Sequence, residues 1–128
     1  MLHSIHHVNF LVRDLDTAVA RWRKILDLDC ETRESLPGRG VDTARFRVGV
    51  TWLVLVQPTN PDSVPGRHLE EHGEGVLLLS FGVDDLDAAA AAIDARGATC
   101  GAERSGLDSW RVVDVGAAIG GSTAIQLT

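Results

Sequence analysis

The chain has 128 residues, with 12 lysines and arginines against 18 aspartates and glutamates, a formal net charge of −6. That length allows one compact domain and hardly two, and a chain of this size needs no disulfide framework or structural metal to fold. The acidic balance excludes the basic patch that a nucleic acid or an anionic membrane requires, and no apolar run reaches the ~20 residues of a membrane span.

Met1–His7 lacks the basic start and apolar core of a signal peptide. Two cysteines, Cys30 and Cys100, are too few for a disulfide scaffold. The expected compartment is therefore the reducing cytoplasm.

In chain order, Ile5–Val12 alternates, with Val8, Phe10 and Val12 on one face, and reads as a strand. Asp14 is a candidate N-cap for a helix that places Leu15, Val19, Trp22 and Leu26 on one stripe. Strand-like stretches follow near 29–35, 42–48 and 50–57, separated by Pro37-Gly38-Arg39-Gly40 and Gly49. Residues 58–66, rich in proline and polar side chains, read as a linker, closed by a short helix over Arg67–His72 that stops at Gly73. Val76–Val83 is apolar almost throughout, as a strand buried on both faces would be. Asp85 then caps a second helix carrying Leu86, Ala90 and Ile93, with Gly97 as its stop. Three more strand-like stretches lie near 98–104, 109–115 and 122–128.

The two halves repeat. Residues 10–20 read F-L-V-R-D-L-D-T-A-V-A and residues 81–91 read F-G-V-D-D-L-D-A-A-A-A, an offset of 71. The pattern is β-α-β-β-β twice, giving a first module at 1–57, a linker at 58–75 and a second module at 76–128 within a single domain.

The segments I-H-H-V-N-F-L-V-R-D-L-D-T-A-V, G-V-L-L-L-S-F-G-V-D-D-L-D and G-G-S-T-A-I-Q-L resemble the vicinal oxygen chelate superfamily of glyoxalase, bleomycin-resistance and extradiol dioxygenase proteins. L-V-L-V-Q-P followed by P-G-R-H-L-E-E-H-G-E-G-V is most similar to its methylmalonyl-CoA epimerase branch. The resemblance implies an α+β fold in which two βαβββ modules form a half-barrel sheet around a concave cavity, helices outside. It also implies a homodimer. In the enzymatic members four strand residues hold a divalent metal, and these positions fall here on His7, Val54, Leu78 and Gln126. Val and Leu have no lone pair to give, so the expectation is that there is neither metal nor cofactor. Gln57 and Ser80 are poor substitutes: Gln57 has the opposite strand parity to Val54, and a serine is a weak ligand.

Strand parity places His7, Asn9, Trp52, Val54, Leu78, Ser80 and Gln126 on the concave face, with Val56 and Ala124 beside them. Trp110 stands near the rim, so two indoles could stack a flat aromatic ligand. Arg45 and Arg47 alternate with Phe46 and Val48; facing the cavity, they could bind a carboxylate or phosphate. His6 should point away from His7, so the pair cannot clamp one ion. His7 is the only good candidate base, with Glu103 a distant second. His68-Leu69-Glu70-Glu71-His72 matches an inverted zinc-protease motif, but no third ligand is evident, and a solvated helix at the cavity mouth is the favoured reading. Pocket shape depends on loops 36–42, 58–66 and 104–109. The favoured function is a metal-independent small-molecule binder of the resistance type, sequestering an aromatic or hydrophobic antibiotic. The alternative is a glyoxalase- or epimerase-like lyase or isomerase.

Overall fold

The computed structural model describes residues 1–29 and 31–128; Cys30 lies outside the described residues. The strands are β1 (Leu2–Leu11), β2 (Thr32–Leu36), β3 (Val41–Val48), β4 (Thr51–Pro58), β5 (Gly75–Val83), β6 (Arg104–Ser105), β7 (Arg111–Asp114) and β8 (Ala124–Leu127). Helices α1 (Leu15–Leu26), α2 (Val64–His72) and α3 (Leu86–Ala95) intervene, with 3-10 turns at Pro37–Arg39 and Leu107–Ser109.

The strands form one sheet in the order β2-β3-β4-β1-β5-β8-β7-β6, curled into a half-barrel with the helices outside. Its centre is symmetric. β1 pairs antiparallel with β5, and each has a parallel neighbour on its far side, β4 for β1 and β8 for β5. The repeated D-L-D is a repeated cap. Asp14 accepts from the Thr17 amide at 2.8 Å and Asp85 from the Ala88 amide at 2.9 Å, with nearly identical extended backbones.

Strand alternation sorts the core into layers. Val12, Ala44, Phe46 and Leu55 pack with Leu15, Ala18 and Val19 of α1, and Phe10 and Trp22 complete that side with their rings 5.1 Å apart. Leu86 and Ala89 of α3 pack on Val113 and Leu127. The opposite face of the first strands supplies Leu11, Val41, Val54 and Val56, which cluster with Leu107. The expected α1 stripe is shorter than its pattern, because Leu26 is exposed beyond the edge of the sheet.

Two segments depart from the sequence reading. Helix α2 begins three residues earlier than expected, inside the supposed linker. Ser63 caps it, accepting from the Gly66 amide at 3.1 Å, and Pro65 sits in the first turn, where it loses no helical hydrogen bond. A Cβ on Gly66 would lie 2.3 Å from the Asn60 carbonyl oxygen, so only glycine lets the 60–63 turn cross the helix. The stretch near 98–104 forms only the two-residue β6 and an isolated bridge between Cys100 and Val115.

Phe46 is fully buried at the centre of the α1-side core. Phe46→Ala should destabilise the fold by about 3–5 kcal/mol, since the cavity it leaves cannot close against a sheet. Ile25→Ala, at a site 71% exposed on α1, should cost less than about 0.5 kcal/mol. Urea denaturation followed by circular dichroism measures both.

Candidate functional site

The middle of the concave face is built on β1. His7 pairs with Trp52 and Ser80, and Asn9 with Val54 and Leu78. In the β1–β5 ladder, however, Ile5 faces Phe81 and His7 faces Ser80, which leaves His6 as an extra residue. Such a bulge breaks strict alternation. The His6 and His7 rings therefore meet, Nδ1 to Nδ1 at 2.8 Å, and both lie against Trp110 with centroids 4.7 and 4.8 Å away. This corrects the expectation that the two histidines point apart. A second bulge follows between the Asn9–Leu78 and Phe10–Val76 pairs, with Leu77 the extra residue. Leu77 and Leu78 consequently both face the cavity.

That cavity has a volume of about 630 Å³, within the range of small-molecule pockets. Its sheet wall includes His7, Asn9, Val56, Leu78, Ala124 and Gln126. The rest comes from the loops: Leu36 to Val41, then Asn60 and Ser63–Pro65, then Arg104 and Gly106–Leu107 with Trp110. Asn9 Oδ1 is buried in this wall without a hydrogen-bond donor.

Of the residues singled out from sequence, His7, Asn9, Leu78, Trp110 and Gln126 line this cavity, whereas Arg45, Arg47, Trp52, Val54 and Ser80 do not. Arg45 is only 6% exposed. Its guanidinium lies 5.2 Å from the Trp52 ring and 5.5 Å from the Trp110 ring, and it pairs with Glu34 at 3.1 Å and Asp108 at 3.5 Å. Glu34 Oε1 also accepts from the Asp108 amide at 3.0 Å. Arg47 covers the other side of the cluster, 4.9 Å from the Trp52 ring, with its Nε donating to the Gly49 carbonyl. Trp52 thus stacks against arginines of its own chain. Ser80 is fully buried and shares a hydrogen bond with the Thr128 hydroxyl.

Sequence reasoning missed Arg39, Arg104, Asp114, Leu77 and Leu107, all in the lining. Three of these sit in or beside loops that the sequence marked as shaping the pocket. Nothing in sequence signalled the bulge that turns Leu77 inward.

The electrostatics follow from burial. His7 is 4% exposed. Desolvation, and then the neighbouring His6, push its pKa down to about 3, against the opposing effect of a hydrogen bond with Gln126. His6 is lowered for the same first reason, aided by Arg47. Gln126 Nε2 donates to Asp114 at 3.0 Å, and Asp114 takes Arg104 in turn at 2.7 Å. His7 thus stays a neutral imidazole, tied to an amide that is itself committed to a carboxylate.

A divalent metal does not fit this set. At the four superfamily positions only His7 and Gln126 carry donor atoms, and Val54 and Leu78 add hydrocarbon. Among the described residues no three His, Cys, Asp or Glu side chains converge on a metal-sized site. His68 and His72 do stack, with centroids 4.6 Å apart, but His68 Nε2 bonds the Ser122 carbonyl at 2.8 Å. Cys100 packs beside α3, and burial raises its thiol pKa, the opposite of a nucleophile's environment. Glu103 is paired outside the cavity with Arg111 at 2.6 Å.

Comparison with known proteins gives a consistent answer. The model of the Glyoxalase/Bleomycin resistance protein/Dioxygenase superfamily matches residues 6–113. Methylmalonyl-CoA epimerase from Mycobacterium tuberculosis superposes with a TM-score of 0.90 at 25% identity, over 98% of this chain and 87% of the other. A variant of the Streptomyces coelicolor methylmalonyl-CoA epimerase, in complex with 2-nitronate-propionyl-CoA, gives 0.91 at 28% identity, over 99% and 94%. A hypothetical protein from Bacillus halodurans shares the fold at 18% identity, with a TM-score of 0.89 over 96% and 91%. No curated protein matches in sequence.

The depressed His7 pKa makes stability depend on pH. Between its ordinary value of 6.5 and about 3, the unfolded chain binds a proton that the folded chain refuses, so stability falls as pH falls. The expected contribution is about 1 kcal/mol per pH unit. His7→Gln should flatten the slope by that amount between pH 6 and 4 in urea titrations. An unchanged slope would place His7 in a wetter setting than this one.

Proposed function

Since this chain belongs to the Glyoxalase/Bleomycin resistance protein/Dioxygenase superfamily, we propose that it is a metal-independent small-molecule binder. It sequesters an aromatic or hydrophobic compound, of the kind antibiotics present, without altering it. The observation that carries this reading is the chemistry of the four superfamily metal positions. Two are hydrocarbon; of the other two, His7 is buried with its pKa pushed far down, and Gln126 donates to Asp114. The walls are chiefly apolar, with Val56, Leu77, Leu78, Leu107, Trp110 and Val112 facing the space. A pocket with apolar walls and few convergent polar groups suits retention of a ligand. Within it His7, Asn9, Leu78, Trp110 and Gln126 would touch the ligand, while Arg45, Arg47, Trp52, Val54 and Ser80 support the wall from behind. The working unit would be a cytoplasmic homodimer, by resemblance to the superfamily.

A second reading rests on the likeness to methylmalonyl-CoA epimerases: a lyase or isomerase acting on a CoA ester. Moving a proton on carbon needs a base that holds the proton once taken. His7, with a pKa near 3, holds one too weakly at neutral pH. Asp114, the carboxylate among the described residues of the lining, is already paired with Arg104.

Thermal denaturation in the presence of a chelator separates the two. A panel of aromatic natural products should contain compounds that raise Tm, by the equivalent of about 2.7 kcal/mol at one hundred times Kd, with or without chelator. Methylmalonyl-CoA in heavy water should keep its α-proton when monitored by NMR. Enzyme-dependent exchange of that proton would overturn the binder reading.

A further inference from the structure

The cavity carries a charge opposite to that of the protein. The chain as a whole is at −6, yet the ionised side chains lining the cavity are Arg39, Arg104 and Asp114, a net +1 with His7 neutral. The balance is uneven within that trio. Arg104 holds Asp114 through both its Nε, at 3.2 Å, and its NH2 group, at 2.7 Å. Asp114 also accepts from Gln126, so that carboxylate is spent. Arg39 has no carboxylate within salt-bridge distance among the described residues; its guanidinium donates to the Ser105 carbonyl. Burial, and then the nearby Arg104 charge, make its ionised form less favourable than usual, only partly offset by Asp114, which is already bound to Arg104. A half-buried cation of this kind gains from an incoming anion, and a guanidinium retains further N–H donors to meet one.

Resting on the binder reading above, we propose that the ligand is a compact amphipathic organic acid. Its anionic group (carboxylate, sulfonate or phosphate) sits at Arg39 in the mouth, and its apolar body lies against Leu36, Val41, Leu78, Leu107 and Trp110. The volume of about 630 Å³ accommodates one fused-ring body. The turn Pro37–Arg39 and strand β6 bring the charge to the mouth from opposite ends of the sheet, so the anion site exists only in the folded half-barrel.

Two fluorescent probes isolate the charge. 8-Anilino-1-naphthalenesulfonate and N-phenyl-1-naphthylamine share one ring system and one anilino N–H and differ in the sulfonate. Fluorescence titration of the full chain should give a Kd at least tenfold lower for the sulfonate. Arg39→Gln should abolish that advantage by weakening the sulfonate far more than the neutral probe, while Arg39→Lys should retain most of it. Leu78→Trp, which narrows the cavity, should weaken both probes and so exclude as their site the separate groove that Arg21, Trp22 and Ile25 of α1 line. Equal affinity of the two probes for the wild type, or an Arg39→Gln protein that still prefers the sulfonate, would overturn the acid assignment and leave the binder reading standing. Displacement of the sulfonate by coenzyme A at micromolar concentration would overturn the compact acid in favour of a CoA ester. Probes that bind equally well to Leu78→Trp would remove the cavity as the site, and with it both readings.

Discussion

The half-barrel depends on a buried cation. Arg45 leaves β3 on the concave side, only 6% exposed, and a guanidinium so buried must be neutralised or excluded. It is neutralised from both ends of the sheet: Glu34 on β2 reaches it from its own edge and Asp108 from the 3-10 turn before β7. Two indoles lie against it, an arrangement that adds cation–π attraction. The turn that carries Asp108 adopts left-handed backbone at both Asp108 and Ser109. Aspartate tolerates that conformation better than most side chains and serine does not, so the bonds to Arg45 and Glu34 help to hold the turn. With this turn held, Trp110 is fixed against His6 and His7, and the end wall of the cavity exists.

The same contacts set the electrostatics of the site. Burial beneath Trp110 is what drives the His7 pKa down, and a neutral His7 can hydrogen-bond to Gln126 with no charge to balance. The chain Gln126–Asp114–Arg104 then consumes the one carboxylate in the cavity. Gln126, Asp114 and Arg104 thus satisfy one another. Asn9 Oδ1, without a donor, and the Arg39 guanidinium, with N–H donors to spare, both line the cavity.

Much of this was legible in the sequence. The caps at Asp14 and Asp85, the two β-α-β-β-β runs and the sorting of Phe46 inward from Arg45 follow from local rules that hold residue by residue. Where alternation held, so did the facing of the strands, as for Asn9, Val54 and Val56. It failed at His6 and Leu77, because a bulge is decided by how two strands fit against each other, and no single strand encodes it. Arg45 and Arg39 illustrate the other limit. Parity put Arg45 on the concave face correctly, but whether its charge would meet a ligand or Asp108 depended on a turn some sixty residues away. Arg39 looked like an ordinary turn residue until the fold carried Ser105 across to it.

This superfamily scaffold encloses a cavity whose floor cannot hold a divalent ion. Calorimetric titration of the chelator-treated wild-type protein with Mn²⁺ and Co²⁺, set beside His7→Ala, tests it most directly. The account predicts no stoichiometric binding at micromolar metal and no difference between the two proteins. One-to-one binding of either ion, lost in His7→Ala, would contradict it.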